Sequence, residues 1–394
     1  MGTLPEDGAT LSRQMLNRTL LARQMLLQRQ TRPVVETIEH LVGMQSQVPT
    51  NPYVALWSRL TNFGTDELSR MVVERKVVRA SLMRATLHLV TARDCLTLYP
   101  LLSPVLARTF KNTPFGKGTQ HLKPAPLLNR ARTLLDEQPR TLKDLGALLH
   151  QQWPDYEPSH LAQAVHHLLP LVQVPPRGTW GASHKATWAT IENWLGRPFD
   201  PEPELDALVL RYLAAFGPAT AADVSTWSGL TGLREVLTRL RPQLRIFRDE
   251  RGRELFDIPE APWPEPDSDA PPRFLPEYDN ILLSHADRTR VMSDDNRKRL
   301  MTRNAVLPGS FLLDGYLQGT WKIERTRNAA RLLLRPYSPV PGDQQAALFD
   351  EGAQLLALMA ADTTERDMEI VADESQRSLI RNTHVTIADA LSHL

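Results

Sequence analysis

The chain has a single cysteine, Cys95, so it can neither close an internal disulfide nor build a thiolate metal cluster. A secreted disulfide scaffold and a zinc finger are therefore both excluded, and a reducing compartment is expected. No uncharged apolar run reaches the roughly 18–20 residues that a membrane span needs. Met1 to Ser12 lacks the basic-then-apolar order of a signal peptide, which predicts a cytoplasmic protein with no membrane partner. There is no GxxxxGKS/T phosphate loop, no GxGxxG after a strand, no HExxH and no GxSxG, so the common nucleotide-binding, zinc-protease and serine-hydrolase readings lack their motifs. His166 and His167 are neighbours in a helical stretch, where adjacent side chains point about 100° apart, a poor geometry for a shared metal. No metal and no cofactor is expected.

Net charge is also small. The 46 basic and 45 acidic residues leave +1 over 394 residues, a length that makes roughly two to four domains of about 100–200 residues each. The total conceals segregation. Met1 to Gln120 carries 15 basic residues against 8 acidic, and Asn280 to Arg335 carries 11 against 5. Pro259 to Asp279 is acidic, and Asp343 to Leu394 has 10 acidic residues against 3 basic. Two basic zones could thus meet an anionic partner, although solvated helix faces give the same statistics. The cations are 38 arginines and 8 lysines, which suits bidentate phosphate contacts or reflects genome composition.

One order of elements recurs. Leu11 to Leu27 is amphipathic at three- and four-residue steps, and a second helix runs to Val42 after the Thr31-Arg32-Pro33 break. Helical patterns follow at Pro52 to Leu60 and Asp66 to Arg75, then branched apolar runs at Val77 to Met83 and Thr86 to Thr91 that read as a hairpin. Beyond a Pro/Gly/Lys-rich stretch, helices are predicted at Leu127 to Gln138, at Thr141 to His150 with Thr141 as N-cap, and at Pro158 to Leu169, with a strand at Leu171 to Val174 entering a wing. The third round has helices at Leu205 to Phe216, Thr220 to Ser228 and Leu230 to Leu240, then strands at Leu244 to Arg248 and Glu254 to Ile258 around a charged tip. Three helices and a two-stranded wing are the winged variant of the helix-turn-helix. The expected fold is mainly α with β wings (α+β), in units at 1–122, 123–200 and 201–258, a Pro-rich acidic linker at 259–272, and an α/β region at 273–394. In that last region strands are expected at Phe274 to Ser284, Phe311 to Tyr316 and Gly319 to Glu324, turns at Asp314-Gly315 and Gln318-Gly319, and a helix at Asp343 to Ala361.

The loop Gly43 to Pro49 of the most basic unit places Gln45 and Gln47 on either side of Ser46. In an extended loop both amides point the same way. Two carboxamides can hold a water through their oxygens and use their NH₂ groups on a sugar or phosphate, but neither is a strong base. Loop polars that satisfy backbone groups are the plainer explanation of Gln-Ser-Gln by itself. VGMQSQVPTNPYVALWSRL (Val42 to Leu60), RATLHLVTARD (Arg84 to Asp94), FLPEYDNILLSHADRTRV (Phe274 to Val291) and GSFLLDGYLQGTWKI (Gly309 to Ile323) together resemble the AlkZ/YcaQ family of bacterial DNA glycosylases. The resemblance runs from Leu11 to about Ile387.

That resemblance implies three tandem winged-helix modules and a C-terminal β-containing region, C-shaped around a DNA-binding cleft. It implies that the family's catalytic Gln-x-Gln is carried by Gln45 and Gln47, with Ser46 between them. The YcaQ-like branch has an aspartate where this chain has Gln47, so the chain is grouped with the AlkZ-like branch, which acts on bulky natural-product adducts. The expected activity is monofunctional, metal-free base excision repair of N7-alkylated purines in duplex DNA, with interstrand crosslinks and toxin adducts as further substrates, by a monomer located at the nucleoid through its DNA. No lysine is placed for Schiff-base lyase chemistry. His88, in a wing strand, is a supporting residue that approaches the DNA backbone or serves as a hydrogen-bonded strand histidine. Arg288 and Arg290 suit a loop that enters the minor groove or touches phosphates, and Arg84 and Lys322 share that expectation. A non-enzymatic winged-helix transcriptional regulator is the competing reading; it predicts a symmetric dimer, for which no heptads are present.

Overall fold

A computed structural model describes residues 4–301 and 307–371 and the backbone of Thr383–Thr386. The last part of the acidic tail lies outside the described residues. Helices of the first round span Arg13–Arg23, Val34–His40, Asn51–Trp57 and Thr65–Val73, and the hairpin strands are Val77–Ser81 and Leu87–Thr91. Second-round helices are Pro124–Glu137, Leu142–His150 and Pro158–Leu168, with strands Leu171–Val174 and Thr187–Thr190. The third has Leu205–Phe216, Ala221–Ser228 and Leu233–Leu240, with strands Arg245–Asp249 and Glu254–Asp257.

Local chemistry explains these boundaries. Thr141 Oγ1 accepts from Asp144 N at 3.1 Å, and Thr220 and Asp223 form a reciprocal capping box, so orphan amide donors at both helix starts are satisfied. Leu233, Val236, Leu237 and Leu240 are the buried residues of their helix, spaced to form a single apolar face. Val77–Ser81 and Leu87–Thr91 are buried at every position because helices pack over the hairpin, and this is why they read as continuous apolar runs.

The longest helix, Ala92–Lys111, is absent from the sequence expectations. Pro100 and Pro104 lie inside it, where each removes a backbone donor, yet its Leu98, Leu102, Val105 and Leu106 are buried in the main core. The expected strand from Phe274 to Ser284 is also corrected. Only Arg273–Leu275 pairs; Pro276 follows, Tyr278 has φ 59°, and Asp279 caps a short 3-10 turn at Asn280–Leu282. Asp314-Gly315 is a turn as expected, but Gly319 sits inside the strand Tyr316–Arg325, where a Cβ would run into the Phe311 ring and lie 2.5 Å from Arg335 O.

Pairing joins the rounds. One six-stranded sheet has the order Met44–Gln45, Leu87–Thr91, Val77–Ser81, Leu171–Val174, Thr187–Thr190, Arg140–Thr141, so it crosses the expected boundary at residue 122 through Arg79↔Gln173 and Ala80↔Val172. Thr10–Leu11 adds a parallel strand to the third hairpin. The C-terminal region is a second six-stranded sheet, in which Ala329–Pro336 and Glu365–Ile370 are parallel and Gly342–Met359 is the crossover helix. Buried ion pairs fasten these parts: Arg23 to Asp257 at 2.6 and 2.7 Å, and Arg59 to Asp279 at 2.9 and 2.8 Å. Among the described residues no helix is long and apolar enough to cross a membrane.

Candidate active site

The Gln-Ser-Gln segment begins as an edge strand. Gly43 has φ 88°, a left-handed conformation open to glycine, and a Cβ there would lie 2.5 Å from Val90 Cγ1. Met44 and Gln45 then pair antiparallel with Leu89 and His88, and Ser46 N donates to Leu87 O at 2.7 Å. Asn280 Nδ2, from the 3-10 turn of the C-terminal region, donates to Gly43 O at 2.8 Å. Asn51 Nδ2 donates to Glu277 O at 2.8 Å, so the segment is held from both sides.

Each of the three side chains has its own partner. Gln45 is 6% exposed, and its Oε1 accepts from Arg84 Nη2 at 2.7 Å. Ser46 is buried; its Oγ accepts from Arg79 Nε at 2.9 Å and its carbonyl from Arg79 Nη2 at 2.6 Å. Gln47 is exposed, and its Oε1 makes only a long contact, 3.4 Å, with Leu87 N.

Two arginines here have no carboxylate partner among the described residues. Arg79 is 2% exposed and donates its remaining nitrogen to Gln173 Oε1 of the second round. Burial, reinforced by Arg177, draws its pKa down to about 10, so it stays protonated at neutral pH. Arg84 donates to Gln45, to Trp227 O at 2.5 Å, and weakly to His88 Nε2 at 3.5 Å. Trp227 lies in the last turn of Ala221–Ser228, where unsatisfied carbonyls favour a cation. Burial and then the charge of Arg288 bring the Arg84 pKa to about 10 as well. His88 is 1% exposed; its Nδ1 lies 2.9 Å from Thr86 O and donates there, which leaves Nε2 as the acceptor facing Arg84. Burial and the adjacent Arg84 hold the imidazole pKa at about 3, so it is neutral. It is therefore a buried, hydrogen-bonded strand histidine.

Arg288 is half-buried, with one long bond from its Nε to His285 O at 3.4 Å. Burial and Arg297 lower its pKa. Arg290 is buried, donates to Pro218 O at 2.9 Å and faces Asp223, so it ties the third round to the C-terminal region. Lys322 is exposed on Tyr316–Arg325 and pairs with Glu324 at 3.0 Å. Sequence reasoning missed Arg79. Its signal was a lone cation in the middle of the apolar run Val77 to Met83. Asn280 and the Trp227 carbonyl had no local signal at all.

No carboxylate hydrogen-bonds to Gln45, Ser46 or Gln47 among the described residues. Glu277, whose carboxyl pKa is raised by burial, accepts from Asn51 through its main-chain oxygen. A groove of about 1030 Å³ between the first helices and the acidic linker is lined by Leu27, Arg32, His40 and Trp263, not by the glutamines. The arrangement presents neutral amides backed by buried cations, which supply hydrogen bonds and a positive field.

No curated protein matches the chain in sequence. In structure it is similar to the Streptomyces sahachiroi DNA glycosylase AlkZ, with a TM-score of 0.72 and 19% identity over 92% of this chain and 100% of that one. The family model described as DNA glycosylase AlkZ-like matches residues 38–358, which take in the Gln-Ser-Gln segment, Arg79, Arg84 and Arg288. The chain belongs to the AlkZ-like DNA glycosylase family.

Proposed function

We propose that the protein hydrolyses the N-glycosidic bond of N7-alkylated purines in duplex DNA, with Gln45 and Gln47 positioning water and sugar at C1′. The observation that carries this reading is a glutamine pair to which, among the described residues, no carboxylate hydrogen-bonds, beside a histidine held neutral. Carboxamides cannot take a proton at neutral pH, which favours substrates whose base already departs readily. An N7-alkylated purine meets that condition because it is cationic. The C1′–N9 bond breaks with its electron pair going to the base, which leaves neutral; water forms the new C1′–O bond and its proton passes to solvent. Preorganised dipoles beside the oxocarbenium-like sugar then contribute the main acceleration.

Bulky adducts and interstrand crosslinks are included as substrates in this reading, with an open cleft in place of a snug base-flipping pocket. Three winged-helix modules around a cleft, a monomeric state and a monofunctional mechanism belong to the same reading. The test is excision from a duplex carrying a single N7-methylguanine, with and without alkali. Wild type is expected to yield an abasic product cleaved only by alkali, and Gln45→Ala with Gln47→Ala is expected to abolish it. Unaltered excision by the double variant would reject the assignment. Absence of product with methyl, mustard-crosslinked and natural-product adducts alike would favour a non-enzymatic DNA-binding regulator.

A further inference from the structure

We infer that Arg84 is a positioning residue that fixes the polarity of the Gln45 carboxamide and so gives the two glutamines different tasks; this rests on the glycosylase reading above. A free glutamine amide can rotate by 180° and exchange oxygen for NH₂ at little cost. Gln45 cannot. Its Oε1 sits 2.7 Å from Arg84 Nη2, and rotation would bring two donors face to face beside a desolvated positive charge. Nε2 of Gln45 has no hydrogen-bond partner among the described residues. Gln45 is thereby committed as a donor, suited to an oxygen of the lesion nucleotide's sugar or phosphate. Gln47 is exposed and its oxygen is only loosely engaged, so it is the acceptor that holds the water.

The backbone around Arg84 argues for a dedicated role. Arg84 and Ala85 are consecutive residues at φ 56° and 58°, a left-handed region that costs non-glycine residues energy and persists only where surroundings enforce it. Enforcement comes from the third round. Trp227 O takes Arg84 Nη1, and Gly229, at φ 82°, ends that helix against Arg84, where a Cβ would stand 2.7 Å from Val105 Cγ1 and in ordinary contact, 3.4 Å, with Arg84 Cα. Ser46 between the glutamines is pinned by Arg79, so the segment cannot slide to compensate.

The test is single-turnover excision of N7-methylguanine from a duplex by wild type, Arg84→Met, Arg84→Lys, Gln45→Glu and Gln47→Glu, with duplex affinity and thermal unfolding measured for each. Arg84→Met is expected to lower the saturating rate about 10- to 100-fold while the Kd for the duplex changes less than about threefold, and Arg84→Lys, which keeps one donor, to recover part of the rate. Gln45→Glu loses the donor and pairs with Arg84, so it is expected to lose at least about 100-fold, whereas Gln47→Glu keeps an acceptor and stays within about tenfold of wild type. Weakened duplex binding with an unchanged saturating rate in Arg84→Met would make Arg84 a phosphate contact and overturn the proposal. Equal or reversed losses in the two glutamate variants would overturn it too, and they decide the matter if Arg84→Met does not fold. Wild type that excises nothing would instead sink the glycosylase reading.

Discussion

Gln45 and His88 face each other across an antiparallel strand pair, and the imidazole between Gln45's neighbour Arg84 and the Thr86 carbonyl is locked in one neutral tautomer. A residue that resembles a general base by type is thus excluded from proton transfer by its surroundings.

The excision rate is accordingly expected to be level with pH. Burial and Arg84 keep His88 near a pKa of about 3, and amides do not titrate, so the saturating rate should vary less than about threefold from pH 6 to 9. A single-turnover pH profile with a bell or an inflection near 6 to 7 would show that a titrating group takes part.

Arg79 is expected to be irreplaceable by lysine. Its planar fork reaches Ser46 Oγ, Ser46 O and Gln173 Oε1 together, which one ammonium cannot do. Arg79→Lys should lose about 1–3 kcal/mol of stability. It should also lower excision at least about tenfold through displacement of both glutamines. Urea unfolding and single-turnover kinetics would measure the two effects, and wild-type values in both would refute the clamp.

The Arg23–Asp257 pair is wholly buried and joins the first helix to the third hairpin. Asp257→Ala leaves a guanidinium without its countercharge and should cost about 3–5 kcal/mol, while Arg23→Met with Asp257→Leu should recover much of that loss. Equilibrium unfolding of both variants is the check, and a loss below about 1 kcal/mol for Asp257→Ala would contradict it.

His166 is expected to be a weak point in acid. Neither ring nitrogen has a hydrogen bond among the described residues, its ring lies 4.5 Å from that of Trp188, and burial, with His167 adding to it, holds its pKa at about 3. The folded value lies below the unfolded value of about 6.5, so the unfolded chain binds the proton first. Stability is complete above pH 6.5 and falls as pH drops toward 3, by about 2 kcal/mol at pH 5 for one such group. His285, held near 3 by burial and then by Arg290 against Asp223 and Asp287, acts in the same direction. His166→Phe should raise Tm at pH 5 more than at pH 8; an equal shift at both would disprove the linkage.

Elements with local causes were legible. The Leu142–His150 helix announced itself through Thr141 as its N-cap, and Leu233–Leu240 through the glycine that precedes it, Gly229. Ala92–Lys111 was hidden by Pro100 and Pro104, whose local cost is overridden by core burial. The Arg79↔Gln173 pairing spans two rounds and has no signature in either. The candidate site divides in the same way. Gln45, Ser46 and Gln47 are contiguous and could be found from residue type and family resemblance. The arginine that grips Ser46, the asparagine that grips Gly43 and the carbonyl that receives Arg84 come from other rounds and exist as neighbours only after folding.

The sheet that runs from Met44–Gln45 to Arg140–Thr141 has a consequence for how this architecture can be inherited. Repeated units usually behave as beads that can be lost, copied or exchanged one at a time. Here the first hairpin's Val77–Ser81 is an interior strand only because Leu171–Val174 lies beside it; without the second round it becomes a bare edge inviting intermolecular pairing. The fused pair therefore has to be transmitted whole, and the strand that carries Gln45 travels with it.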